Sequence, residues 1–351
     1  MTNLTDTATF SKKVFTWFTR VGTIVAVGLL IFFLGKITNN YFFPPGPPPA
    51  TVAFEKLPQL ELSEGVKPPE GITYKIETIS GELPELVPQA KVFAIGEAEI
   101  LFGDLERAKI KASRLGFSQP PIEVGGGWAK FIDQSSQNRI LTIETTSGNF
   151  TLDSNFLSNN ALIGTRPKSE EEAMGLALGF LGNFDVEEKE FPRGKVQTIK
   201  LAIEAGKLKE APGLSSTNLM QFNFQRADID KLPIINPQIN MSKVWALVAR
   251  NEVVAAKLSI LDIQKHQFAT YPLKGTKKAF EDLKNGKAAY NKESDNEFFP
   301  IRDVSLGYLE TEKFEAFLQP VYLFKSDDGL IAYVDAVDYE WIKKEGSKNN
   351  F

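Results

Sequence analysis

Hydrophobic positions fall into two regimes along this chain. From Phe15 to Leu34 they form one block of 20 residues in which Arg20 is the only charge. At about 1.5 Å of helical rise per residue, that block spans roughly 30 Å, the thickness of a bilayer's hydrocarbon core. Arg20 lies close enough to the N-terminal end for its long stem to reach the headgroups. The uncharged stretch from Val21 to Leu34 is only 14 residues and follows basic residues, which also fits a secretory signal. No small-x-small cleavage site follows it, however, but Lys36, Asn39, Asn40, Tyr41, Phe42 and Phe43. A retained anchor is therefore favoured over a cleaved signal, and both over a buried core helix. Lys12, Lys13 and Arg20 precede the block against Lys36 after it, which predicts a cytoplasmic N-terminus and an extracytoplasmic remainder.

Beyond the block, "FFPPGPPPATVAFEKLPQLELSEGVKPPEG" is rich in proline and shows neither period, which predicts an extended stalk. From Ile72 onward helix and strand periods alternate. "GDLERAKIKASRLGF" places Leu105, Ala108, Ala112 and Leu115 on one face, with Asp104 as cap and Gly116 as left-handed stop. "PKSEEEAMGLALGFLGNF" opens on a Ser169 to Glu172 capping box, carries an Ala173, Ala177, Leu181 stripe and ends at Gly182. "KGTKKAFEDLKNGKAAY" has Thr276 as cap, Ala279 and Leu283 on one face and Gly286 at its end.

Strand runs follow each helix. "WAKFID", "RILTIETT" and "NFTLDS" follow the first, with a turn at Ser147-Gly148-Asn149. "KVQTIKLAIEAG", "NLMQFNFQRA", "KVWALVAR" and "VVAAKLSILDI" follow the second, the last two reversing at Arg250-Asn251-Glu252. "IRDVSLGYLE", "PVYLFKS" and "LIAYVDAV" follow the third, with Asp327-Asp328-Gly329 as a hairpin tip. The predicted class is α+β, a transmembrane helix followed by units in which one helix covers an antiparallel meander. The predicted boundaries are 1–13 cytoplasmic, 14–36 transmembrane, 37–71 stalk, units at 72–162, 163–274 and 275–342, and a tail at 343–351.

Charge narrows the function classes. The whole chain carries a formal charge of −4, and its first 50 residues hold four basic residues and one acidic, so the remainder is more acidic still. An acidic surface argues against nucleic acid, which calls for clustered positive charge. The chain contains no cysteine, which removes disulfides, thiolate metal sites and cysteine nucleophiles.

The helix "EEAMGLALGFLG", then "NLMQFNFQRADIDKLPIIN" and the paired strands "SKVWALVARNEVVAAKLSI", resemble the PepSY-like units of the membrane-anchored YycH and YycI regulatory proteins. So does the run "YPLKGTKKAFEDLKNGKAAY", "IRDVSLGYLE" and "LQPVYLFKSDDGLIAYVDAV". The likeness covers roughly residues 72–340 and is one of pattern and short phrases. It implies a single span, repeated PepSY-like units and a non-enzymatic outer part that restrains a sensor kinase. Because PepSY units also occur in protease propeptides, an inhibitory role toward a secreted peptidase is a further implication of the resemblance.

Residues that invite a chemical role have structural explanations. His266 is the only histidine and stands at a strand end, with no second imidazole or thiol nearby in sequence for a metal. "VGGGWAKF" lacks the G-K-[ST] ending and leads into a strand, not a helix that could hold an anion. Glu170, Glu171 and Glu172 suit the positive end of a helix. Asp327 and Asp328 suit a hairpin tip. Phe222, Phe224, Trp245, Tyr322 and Tyr333 alternate with polar neighbours as sheet-core residues do; if exposed, they are the candidates for binding a partner. No catalytic, metal or cofactor-binding residue is assigned, and no cofactor is expected.

The resulting expectation is a membrane-anchored extracytoplasmic regulator or scaffold acting by protein contact. The alternative is an anchored hydrolase or binding domain for cell-wall carbohydrate, using acidic residues in a cleft between units. Protease added to intact spheroplasts should remove the bulk of the chain and leave a small protected N-terminal fragment, detected by an N-terminal tag. A fully protected chain would reverse the orientation.

Overall fold

A computed structural model describes residues 4–42, 48–62, 66–67, 71–133, 138–236, 242–294, 296–311 and 314–343. The chain divides into two compact units, Met1–Pro49 and Ala50–Phe351.

The first unit is one helix, α1 (Leu4–Phe42). Its stretch Phe15–Lys36 has a mean hydropathy of 2.0, and its residues are exposed. Thr19 and Thr23 return their hydroxyls to carbonyls of the preceding turn, at 3.0 and 2.7 Å, so these polar side chains are satisfied within the helix. The helix has the length and composition to cross a membrane.

The second unit runs in chain order through β1 (Thr73–Ile76), β2 (Gln89–Gly96), α2 (Asp104–Arg114), β3 (Ile122–Gly125), β4 (Trp128–Asp133), β5 (Arg139–Glu144), β6 (Phe150–Asp153), α3 (Asn160–Ile163) and α4 (Glu170–Gly182). It continues with β7 (Val196–Glu204), β8 (Lys207–Glu210), β9 (Leu219–Phe224), β10 (Ile234–Ile235), β11 (Val244–Ala249), β12 (Glu252–Leu258) and β13 (Asp262–Pro272). The last elements are α5 (Thr276–Lys284), β14 (Ala289–Tyr290), β15 (Phe298–Ile301), β16 (Asp303–Leu309), β17 (Phe317–Lys325) and β18 (Ile331–Asp335). The class is therefore mixed α+β with mostly sheet, preceded by an apolar helix.

Nine strands form one antiparallel sheet in the order β3-β4-β5-β6-β12-β11-β9-β7-β8. Its two halves join where β6 pairs with β12, Leu152 opposite Ala256. The strands that follow α2 and those that follow α4 thus share a sheet, and both helices contribute to one core. Ala108 and Ala112 of α2 and Ala173, Ala177 and Leu181 of α4 meet Phe131, Phe150, Phe222 and Ala246 there. Alanine stripes let the helix backbones approach the phenylalanines closely, and Phe184 stacks on Phe150 at 3.7 Å. The opposite face is covered by the 156–163 segment, whose Phe156 and Leu162 pack on Leu219, Leu247 and Val254.

The second sheet has the path β10-β16-β17-β18-β14, with β2 joined to β17 and β13 to β2. The chain enters it at β2, leaves for the nine-stranded sheet, contributes β10 between β9 and β11, and returns at β13, where Tyr271 lies opposite Ala90. Helix α5 covers it through Ala279 and Leu283 on Tyr322, Phe324 and Val334.

Local signals hold at several ends and differ at others. Ser169 caps α4 by accepting from the Glu172 N–H at 3.1 Å. Gly116 takes the expected positive φ. At α2 and α5 the capping position is instead a glycine with positive φ, Gly103 and Gly275. Asp104 is thereby moved one residue inward and accepts from the Leu101 N–H at 2.7 Å, and Thr276 donates to the Pro84 carbonyl at 2.9 Å. Helix α4 runs through Gly182 and is capped by Asn183.

The stalk expected over 37–71 differs most. Residues 37–42 continue α1, and 50–62 lie against the folded unit. Leu57 is fully buried, its N–H bonding Trp341 O and its carbonyl accepting from the Lys343 N–H, both at 2.8 Å. Val52 N–H donates to Thr270 O at 3.0 Å, and Gln319 Nε2 to Pro58 O at 3.0 Å. Proline-rich composition removes regular structure from a segment but not the apolar side chains, here Val52, Phe54, Leu57 and Leu60, that dock it. Leu57→Ala should therefore cost about 2–4 kcal/mol of stability in urea unfolding followed by tryptophan fluorescence. A detached stalk would show a change within about 0.5 kcal/mol.

Candidate functional site

Four of the five aromatic candidates, Phe222, Phe224, Tyr322 and Tyr333, are interior and form no exposed platform for a partner protein. Phe222 and Phe224 lie in the core under the helices, and Tyr322 in the core under α5. Tyr322 accepts the Gly275 N–H at 3.1 Å, and burial pushes its phenol up to about 12. Tyr333 donates to the Tyr290 carbonyl at 2.9 Å. Trp245 is half-buried on the opposite face of the nine-stranded sheet. The alternation was a core signal, and the open-platform reading does not hold for the buried four.

The other sequence candidates take local roles. His266 is exposed in β13, within the irregular stretch between Gln264 and Phe268 where pairing with β2 slips. Gly125, Gly126 and Gly127 all have positive φ and form the turn of the β3–β4 hairpin, so glycine is required there by backbone geometry. Hydrogen bonds from Thr198 and Lys200 hold the Glu170 carboxyl below its ordinary range. Asp328 is lowered chiefly by the Leu330 N–H, donated at 2.9 Å, and Asp327 pairs with Arg302 at 2.8 Å. Among the described residues no group of three His, Cys, Asp or Glu side chains is placed to hold a metal ion.

The most developed polar centre lies where the two sheets meet, and no sequence motif marks it. Arg226 follows the last residues of β9 and is 8% exposed. Its Nε donates to Glu190 Oε1 at 2.7 Å, with Nη2 donating to the same oxygen. Its Nη1 donates to Glu310 Oε1 at 2.9 Å, just past the end of β16. The same Glu310 oxygen accepts the Leu261 N–H at 3.0 Å. One guanidinium thus ties together the loop after α4, the nine-stranded sheet, the passage from β12 to β13 and the second sheet. Nearby, Lys243 is buried and donates to the Thr311 carbonyl.

Arg226 and Ile260 border two hollows. One, of about 490 Å³, is walled largely by apolar side chains, Phe224 and Tyr333 among them. The other, of about 760 Å³, is polar and combines Trp128 with the acids Glu97, Glu144, Glu190 and Asp262 and the base Lys257. Both volumes lie in the range of ligand sites. Three of the four acids of the polar hollow have partners. Glu144 accepts from Ser147 and Asn149, Glu190 from Arg226, and Asp262 from Gln264.

A second ionic cluster joins Lys274 to Asp282 at 2.7 Å beneath Tyr339, with Lys287 at 3.3 Å on the other carboxylate oxygen. Beside it, burial pushes the Asp335 carboxyl up to about 6, against the pull of Lys274. None of these residues lines either hollow.

No family model matches the chain, and no curated protein does. Among solved structures it is similar to the crystal structure of an uncharacterized protein from Eubacterium rectale ATCC 33656. The two share 12% identity over 72% of this chain and 84% of the other, with a TM-score of 0.40, a likeness too slight to carry an argument.

Removing the guanidinium would leave two carboxylates facing each other in a largely buried junction. Arg226→Met should cost about 3–5 kcal/mol in chemical unfolding. Glu190→Gln, which keeps an acceptor and lies nearer solvent, should cost about 1 kcal/mol.

Proposed function

We propose that this chain is a single-pass, membrane-anchored regulator or scaffold of the cell envelope that acts by protein contact. Its short N-terminus is cytoplasmic, and its outer unit is a composite of PepSY-like helix-and-meander units. The observation that carries this reading is the polar hollow where the two sheets meet. Three of its four acids, Glu144, Glu190 and Asp262, are held by neighbouring donors, which suits recognition better than proton transfer, since a general acid must be free to present its proton. Four acids against Lys257 and Arg226 leave it a negative excess, and Trp128 adds an aromatic surface. A polar segment of net positive charge from a partner protein matches that lining. The likeness to YycH and YycI makes a membrane sensor kinase the first partner to examine, and a secreted peptidase the second.

The reading is tested by a photocrosslinking side chain at Trp128, in the full chain in its native membrane, with Leu208 on the sheet's other edge as control. A discrete protein adduct is expected from the Trp128 position alone. The double charge reversal Glu97→Lys with Asp262→Lys should reduce it at least about tenfold. Carbohydrate hydrolysis is the rival. Release of sugar fragments from purified cell wall by the full chain, lost in Glu144→Gln, would replace the regulator reading with an enzymatic one.

A further inference from the structure

We propose that the 490 Å³ hollow is a binding site for a small amphipathic carboxylate, an apolar chain ending in one anionic acceptor. Its body would lie among Phe191, Phe224, Ile234, Ile235, Ile331 and Tyr333, side chains from both sheets that converge on the space. These apolar side chains leave part of the space without the two to four polar partners that an ordered water needs. They suit a hydrocarbon chain of about 12–16 non-hydrogen atoms, the size this volume accommodates at ordinary ligand packing.

The head-group chemistry comes from Asn223. It lines the hollow, is 3% exposed, and accepts from Gln221 Nε2 at 2.8 Å, while its own Nδ2 is buried without a hydrogen-bond partner. A buried, unpaired amide donor costs about 1–3 kcal/mol, a cost that an acceptor seated beside it removes. Among the described residues the lining carries Lys195, Arg226, Lys243 and Glu310, with Lys195 paired to Asp228 and Arg226 to Glu190, so the head group is selected by the Asn223 donor, for which a carboxylate is the stronger acceptor, and not by net charge. A chain with a bilayer-length apolar helix works where acyl amphiphiles are abundant. The site is distinct from the polar hollow, with Arg226 in the wall of both, so an occupant here bears on a residue that also shapes the partner-binding surface.

The test uses the full chain in nanodiscs of zwitterionic phospholipid and a diazirine-bearing dodecanoic acid as probe. Labelled residues are mapped by mass spectrometry, with retained phospholipid measured in the same samples. Labelling is expected on segments containing Phe224, Ile234 or Ile331, and dodecanoate should compete about tenfold better than dodecanol. Ile331→Trp, which fills the space, should abolish it. Asn223→Leu should lower competition by dodecanoate to that of dodecanol, so the proposal has a second readout if the tryptophan variant fails to fold. Labelling confined to α1, equal competition by the alcohol, or phospholipid retained in the hollow in place of the probe would each overturn the assignment. The Trp128 crosslink reads the other hollow, so its failure and the failure of this proposal are separately visible.

Discussion

The folded unit depends on a single buried guanidinium. Arg226 satisfies Glu190 and Glu310 at once, and those residues belong to segments that share no strand pairing with one another. Taking three charges out of water is costly, and the arrangement persists only because each is bonded to another and Glu310 also accepts a backbone N–H. Hydrophobic packing alone would let the two sheets slide, since apolar contact is non-directional. The ionic junction adds a direction. It also leaves space beside it, because the side chains around it are held by their hydrogen bonds and cannot relax inward to fill the hollows.

The connection between the apolar helix and the folded unit follows the same logic of groups tied by their bonds. Val52, Leu57 and Pro58 each bond a different part of the second sheet's neighbourhood, so the segment belongs to the folded unit from its first residues. That changes the picture of a stiff, extended stalk to one in which residues 50–62 are part of the folded unit. The segment's hydrogen bonds fasten it to β13 and to the 341–343 segment, through Thr270, Trp341 and Lys343.

Local and nonlocal information separate cleanly here. The Ser169 cap, the Ser147-Gly148-Asn149 turn, the Arg250 reversal and the Gly329 hairpin were legible because each is decided by neighbours within a few residues. The alanine stripes of α2 and α4 were legible as buried faces, and Phe222, Phe224, Tyr322 and Tyr333 as sheet core. What escaped was partnership. Nothing in "QFNFQRADID" distinguishes Arg226 from any surface arginine, because its partners stand 36 and 84 residues away. Asn223 is similarly unreadable, since an alternating strand position gives no sign that one amide hydrogen will lack an acceptor.

From sequence alone follow the apolar block of bilayer length, the helix-then-strand order, the turn chemistry and the acidic, cysteine-free character. These depend on side-chain type and on periods of two and 3.6 residues, which a chain carries whatever it packs against. Only the tertiary structure decided that the strands after α2 and α4 make one sheet, that the proline-rich segment docks, and that two hollows flank Arg226. Those outcomes rest on contacts between distant segments, where the favourable pairing is chosen by how complete surfaces fit and how buried charges find partners.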